Sequence, residues 1–179
     1  NDFKNTGAIN PKTLVGQSMT QYRVDAAPID GLKIGADYAN TDGSTATAQE
    51  AESGAYFAQY AMGNFKVGYG KSLYAVPLTD KNGNVTEYDT TSYGIEFAVN
   101  DQLSISYTKE KSEAMTAVAI ADGASSNTKT TVESDITTLQ AAYVIGGATV
   151  GIATTETSDA DYVSGKEEKV TVLSIAMAF

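Results

Sequence analysis

Residues 92–108, SYGIEFAVNDQLSISYT, consist of two segments in which apolar and polar side chains alternate, joined by a short polar turn. Successive side chains of a β-strand point to opposite faces, so strict alternation gives a strand one apolar face and one polar face. The Asn and Asp of the turn favour the tight connection of a hairpin. The stretch therefore predicts two antiparallel strands that share an apolar face.

The same alternation recurs along the rest of the 179 residues. The nine alternating segments are residues 20–24, 32–38, 56–62, 65–69, 93–99, 103–107, 139–145, 148–152 and 173–179. The composition, with 16 Gly and 11 Tyr, also suits strands and tight turns better than helices. We predict a single all-β domain over residues 1–179, with its strands in residues 18–179.

The connections between these segments alternate between two kinds. Short turns lie at residues 28–31, 63–64, 100–102 and 146–147, and long polar links at 41–52, 76–89, 112–133 and 157–168. The long links contain thirteen acidic residues and three lysines. This order predicts antiparallel up-and-down hairpins, with the long, acidic loops together on one side of the sheet.

The composition also disfavours several classes of function. The net charge of -10 argues against binding a nucleic-acid backbone, which requires clustered Lys and Arg. The chain has no Cys and no His, so the thiol nucleophile, the commonest general base and the commonest transition-metal ligands are missing. We predict no enzyme activity, no cofactor, no metal site and no nucleic-acid partner.

The polar faces carry charged residues in the middle of the predicted strands, namely Arg23, Lys33, Asp37, Lys66 and Glu96. A soluble sheet would present such residues to bulk water, whereas a transmembrane barrel would turn them into its lumen. Aromatic residues distinguish the two cases. Near the long-loop ends lie Tyr38, Tyr56, Tyr93 and Tyr107, and near the short-turn ends lie Phe65, Tyr143 and Phe179. Two aromatic belts are typical of a membrane barrel, so we predict that the five charged residues line a pore.

The last segment places Leu173, Ile175, Met177 and Phe179 at alternate positions. It resembles the carboxy-terminal signature strand of bacterial outer-membrane barrels, in which a terminal aromatic residue and alternating apolar residues are read by the barrel-assembly machinery. The resemblance implies that these four residues are an assembly signal.

The stretch from about residue 18 to residue 179 also resembles the later strands of the sixteen-stranded general porins, including the Gly-rich strand Val67-Gly68-Tyr69-Gly70. This resemblance implies a homotrimeric, water-filled channel for small hydrophilic solutes in the bacterial outer membrane, in contact with membrane lipid and lipopolysaccharide. Barrels made by one bacterial chain generally have an even number of strands. With nine strands visible, we expect an amino-terminal part before residue 1, and residues 1–17 to be a loop or strand end of it.

Two other functions fit the same pattern. Residues 31–179 alone would supply eight strands, enough for a small closed barrel that acts as an outer-membrane anchor or adhesin without an open channel. The second alternative is a secreted, soluble β-sandwich that acts as a binding module.

Overall fold

The computed structural model describes residues 19–41, 51–75, 82–118 and 128–177, the side chains of 82–86 and 116–129 excepted. These residues form nine strands, each antiparallel to the next, in one sheet of order β1 to β9. The strands are β1 Met19–Ala26, β2 Leu32–Thr41, β3 Ala51–Met62, β4 Phe65–Ala75, β5 Asn82–Ala98, β6 Leu103–Val118, β7 Thr128–Ile145, β8 Ala148–Ser158 and β9 Glu168–Met177. The predicted all-β class and the up-and-down order of nine strands are confirmed.

The short turns lie where the sequence predicts them. Gly31 has a φ of +77°, and a side chain there would collide with the carbonyl oxygen of Ala61, whose N–H donates to the Gly31 carbonyl at 2.9 Å. Between β5 and β6, the Asn100 side chain accepts hydrogen bonds from the N–H groups of Gln102 and Leu103, both at 2.9 Å. Asn favours tight turns because its side-chain oxygen can accept hydrogen bonds from the backbone N–H groups of the residues that follow it.

The long links are shorter than predicted, because three strands extend into them. Residues 82–89 belong to β5, residues 112–118 to β6 and residues 128–133 to β7. The extensions pair with each other, and side-chain contacts reinforce the pairing: Thr90 bonds to Ser112 at 2.8 Å, and Lys111 Nζ lies 3.0 Å from Glu133 Oε2. Opposite charges and paired hydroxyls across a ladder stabilise strands even in a polar sequence.

The two faces of the sheet differ in burial. In the middle of β4, β5 and β6 the apolar side chains are exposed and the polar ones between them are half-buried. Phe65 and Val67 are 47% and 44% exposed, whereas the Lys66 side chain between them is 35% exposed. In these central strands the polar face is therefore the more sheltered one, which is the reverse of a soluble sheet that buries its apolar face. In the edge strands β1 and β9 both faces are exposed.

The described residues contain no buried core of large apolar side chains. Their buried hydrophobic residues are five alanines: Ala39, Ala51, Ala75, Ala114 and Ala160. A β-sandwich would need a second sheet to cover the apolar face, and the strands described here form one sheet only. Within the same residues there is no helix long and apolar enough to cross a membrane.

Candidate functional site: the polar face of the sheet

The five charged residues predicted from the sequence all lie on the polar face, in two groups. Arg23 and Asp37 are directly opposite each other in the β1–β2 ladder, and the Arg23 guanidinium also bonds to Asp25, with Nε 2.6 Å from Oδ2. Lys33 lies nearer the short turn on β2, opposite Gln59 of β3. This first group places both signs of charge on the same stretch of polar face.

The second group is the pair Lys66 and Glu96. The residues are opposite each other in the β4–β5 ladder, and Lys66 Nζ lies 2.8 Å from Glu96 Oε2. Two residues further along each strand, Gly68 lies opposite Gly94. Because neither glycine has a side chain, a small hollow lies beside the ion pair. Gln59, Ser106 and Thr108 also line this hollow. The pair is thus accessible from the polar face, and its role as pore lining stays a prediction.

Between and beyond the charges, the polar face carries hydroxyl and amide side chains. Thr138 and Thr155 bond across β7 and β8 at 2.9 Å, and Ser106 Oγ lies 3.4 Å from Gln140 Oε1. Hydroxyl and amide groups form hydrogen bonds with water as well as with each other, so this face is suited to contact with water rather than to a packed interior.

Sequence reasoning missed a cluster of tyrosines on this face. The rings of Tyr74 on β4 and Tyr88 on β5 stack with centroids 6.4 Å apart, and Tyr162, from the β8–β9 connection, lies 5.5 Å from Tyr88. The polar sequence of residues 76–89 predicts a long link, which includes Tyr88. Its position in phase with Ser92, Gly94 and Glu96 was a signal that it continues the polar face of β5.

The apolar face changes character along the strands. From the short turns upward, β4 presents Phe65, Val67, Tyr69 and then Lys71. The neighbouring strands repeat this order, because Tyr93 of β5 lies opposite Tyr69, and Tyr107 of β6 lies opposite Ile95. Ion pairs lie beyond the tyrosines, with Nζ–O distances of 2.9 Å for Lys71–Asp89 and 3.6 Å for Lys109–Asp135. An apolar band, a row of tyrosines and a row of charges follow each other on one face.

Aromatic residues also meet at the short-turn end of the apolar face. Phe65 of β4 and Phe97 of β5 are opposite each other and stack with centroids 4.5 Å apart. In the last strand, Leu173, Ile175 and Met177 lie on the same face and are 69%, 63% and 62% exposed. Phe179, the fourth residue of the predicted assembly signal, lies outside the described residues, and the signal stays a prediction.

No group of three or more metal-ligating acidic side chains occurs in the part of the chain that the structure describes. On the polar face, Arg23 and Lys66 form ion pairs with Asp25 and Glu96. In comparisons with known proteins, no family model, curated protein or solved structure matches this chain.

Proposed function

We propose that the chain forms the wall of a transmembrane β-barrel that acts as a porin, a passive diffusion channel for small hydrophilic solutes and ions. The observation that carries the proposal is the reversed burial of the sheet. Large apolar side chains such as Ile95 and Ile105 are 44% and 41% exposed, and the polar side chains of the other face are more sheltered. A sheet with this polarity is stable where lipid covers the apolar face and water the polar one.

The size of the apolar face supports a membrane rather than a small binding partner. It runs from β2 to β9, and each of these strands contributes exposed apolar side chains to it. Apolar surface in water costs about 25 cal/mol per Å², and soluble monomers rarely expose contiguous patches above a few hundred Å². Lipid would cover the whole band at once.

The order of residues along the strands fits the depth profile of a bilayer. Tyrosine side chains prefer the headgroup level, because the ring is apolar and the hydroxyl is polar. In this sheet the row of Tyr38, Tyr56, Tyr69, Tyr93 and Tyr107 separates the apolar band from the ion pairs nearer the long loops. The tyrosines would mark one membrane interface, with the ion pairs in the headgroup region or above it.

A channel requires a hydrated lumen. The polar face supplies ion pairs, hydroxyls and glycines, although apolar side chains such as Phe57 and Val172 also lie on it. β1 and β9 run in the same direction, since both are odd-numbered in an antiparallel sheet. An all-antiparallel closed barrel therefore needs an odd number of further strands between them, and a wider barrel leaves more room for water.

We assign the barrel to the bacterial outer membrane, where its partners would be membrane lipid, lipopolysaccharide and, during biogenesis, the barrel-assembly machinery. The apolar side chains at alternate positions of β9, Leu173, Ile175 and Met177, support this assignment, because they match the signature strand described above. A homotrimer is part of the same proposal and rests on the resemblance to general porins.

The test is the electrical behaviour of the protein extracted with detergent from native membranes and inserted into a planar lipid bilayer. We expect ohmic conductance steps, grouped in threes if the assembly is a trimer. Confirmed insertion without conductance would overturn the channel and favour the closed-barrel anchor. Recovery of the folded protein from the aqueous fraction without detergent would overturn the membrane assignment altogether.

A further inference from the structure

The connection between β8 and β9 lies on the polar face rather than extending away from the sheet. Residues 159–167 contain a 3₁₀ turn at Ala160–Tyr162, and Ala160 is only 2% exposed. The turn packs against β7, the strand next to β8. We call residues 159–167 the inward segment.

Tyr162 fixes the inward segment to strands further across the sheet. Its hydroxyl lies 2.8 Å from Ser112 Oγ on β6, and its ring lies 5.5 Å from the ring of Tyr88 on β5. Tyr88 is three strands away from β8, a distance of roughly 14 Å at about 4.8 Å per strand. The segment therefore crosses part of the polar face instead of standing above its own hairpin.

The inward segment is held in a defined conformation. Asp159, Asp161 and Tyr162 all have positive φ values, between 51° and 58°, which side chains other than Gly rarely adopt. The Asp159 carboxylate accepts a hydrogen bond from the N–H of Gly165, and Lys166 pairs with Asp161 and with Glu168, at 2.8 Å from the latter. Unfavourable backbone conformations persist only where the surroundings hold them.

We propose that the inward segment narrows the channel at its long-loop end and that Tyr162 is a residue that determines the size limit for solutes. This inference rests on the proposed channel function. A segment that leaves β8 and places Tyr162 against β6 and β5 occupies cross-section that solutes would otherwise use. The ring and hydroxyl contacts hold Tyr162 in that position.

The test compares single-channel conductance and polymer exclusion for the wild type, Tyr162→Ala and Ser164→Ala. Ser164 is an exposed residue of the same segment, so its replacement controls for a nonspecific change. We expect Tyr162→Ala to raise the conductance by about 1.5-fold and to admit larger neutral polymers, since conduction follows the width of the narrowest part. Ser164→Ala should leave both quantities unchanged.

A conducting Tyr162→Ala channel with wild-type conductance and exclusion limit would overturn the inference and leave the porin proposal intact. Failure of the wild type itself to conduct would overturn the porin proposal instead. If Tyr162→Ala does not insert, Tyr162→Phe gives a second test, because it keeps the ring and loses only the bond to Ser112. We expect larger open-channel current noise in that variant, and noise equal to the wild type would count against the inference.

Discussion

Lys66 and Glu96 face each other across β4 and β5, with Nζ and Oε2 2.8 Å apart and side chains 35% and 38% exposed. The pair is accessible on the polar face beside Gly68 and Gly94. An accessible ion pair contributes little to stability, about 0–1 kcal/mol. In a channel the intact pair would also have little net effect on passing ions, because each partner cancels most of the field of the other. Removing one partner would expose the charge of the other.

Neutralising one partner should therefore change ion preference. Glu96→Gln would leave the Lys66 charge uncompensated and shift selectivity toward anions, and Lys66→Gln would shift it toward cations. A unit charge at about 7 Å in water changes the energy of a passing monovalent ion by roughly 0.6 kcal/mol, with opposite signs for cations and anions, which corresponds to about an eightfold change in the permeability ratio. Reversal potentials in a salt gradient measure this ratio, and the double variant should restore it. Equal reversal potentials in all four proteins would show that the pair does not face the lumen.

The apolar face gives a prediction about insertion. Ile95→Arg would place a charge in the apolar band, at a cost of about 2–4 kcal/mol if lipid covers the middle of that face. We expect the fraction of protein in the membrane to fall. Ser106→Arg is the matched control, since Ser106 lies one strand away, opposite Glu96, on the polar face. Equal loss of membrane protein in both variants would contradict the assignment of the two faces.

Gly35 of β2 provides a test of packing on the polar face. A Cβ there would lie 2.8 Å from Phe57 Cζ and 2.9 Å from Asp25 Oδ1, so Gly35→Ala should force the ring to move. We expect destabilisation by about 1–3 kcal/mol, as for other overpacked sites. The urea midpoint of folded protein in detergent, followed by heat-modifiable gel mobility, measures it. Gly54→Ala is the control, because its Cβ would meet ordinary contacts at 3.6 Å or more.

The inward segment should be insensitive to pH over the neutral range. Hydrogen bonds to Asp161 and Glu168 raise the pKa of Lys166. Because the pKa is raised in the folded state, the stability contributed by the charged Lys166 is fully present below about pH 10.4, the ordinary pKa of Lys. That stability is lost as the pH rises through the pKa of Lys166 in the folded protein. We expect constant open-channel noise from about pH 7 to about pH 9. Lys166→Gln should raise the noise in that range, whereas Lys109→Gln, on the apolar face, should not.

Much of this sheet is predictable because its signals are local. The alternation in residues 93–99 and 103–107 defines both strands and their faces, and Asn100 defines the turn between them. The same reasoning places Arg23, Lys33, Asp37, Lys66 and Glu96 on the polar face, since side-chain phase follows directly from position in a strand.

The remaining features depend on contacts between distant residues. Residues 82–89 have the polar sequence of a loop, and their pairing with β6, joined at residues 87–89 by pairing with β4, makes them a strand. The sequence around Tyr162 has no alternating pattern that would predict on which face of the sheet its side chain lies. Its contact with Ser112 joins residues 50 positions apart and exists only once β5, β6 and β7 lie side by side.

Every strand in the described sheet bonds only to its neighbours in sequence. Most of the pairing is therefore short-range along the chain, and each hairpin can form without waiting for a distant partner. The same arrangement allows a whole hairpin to be added or removed as a unit during evolution. Duplicating or deleting one hairpin-length segment of the gene would change the width of the sheet by two strands, and each remaining strand would keep a neighbour of the correct direction.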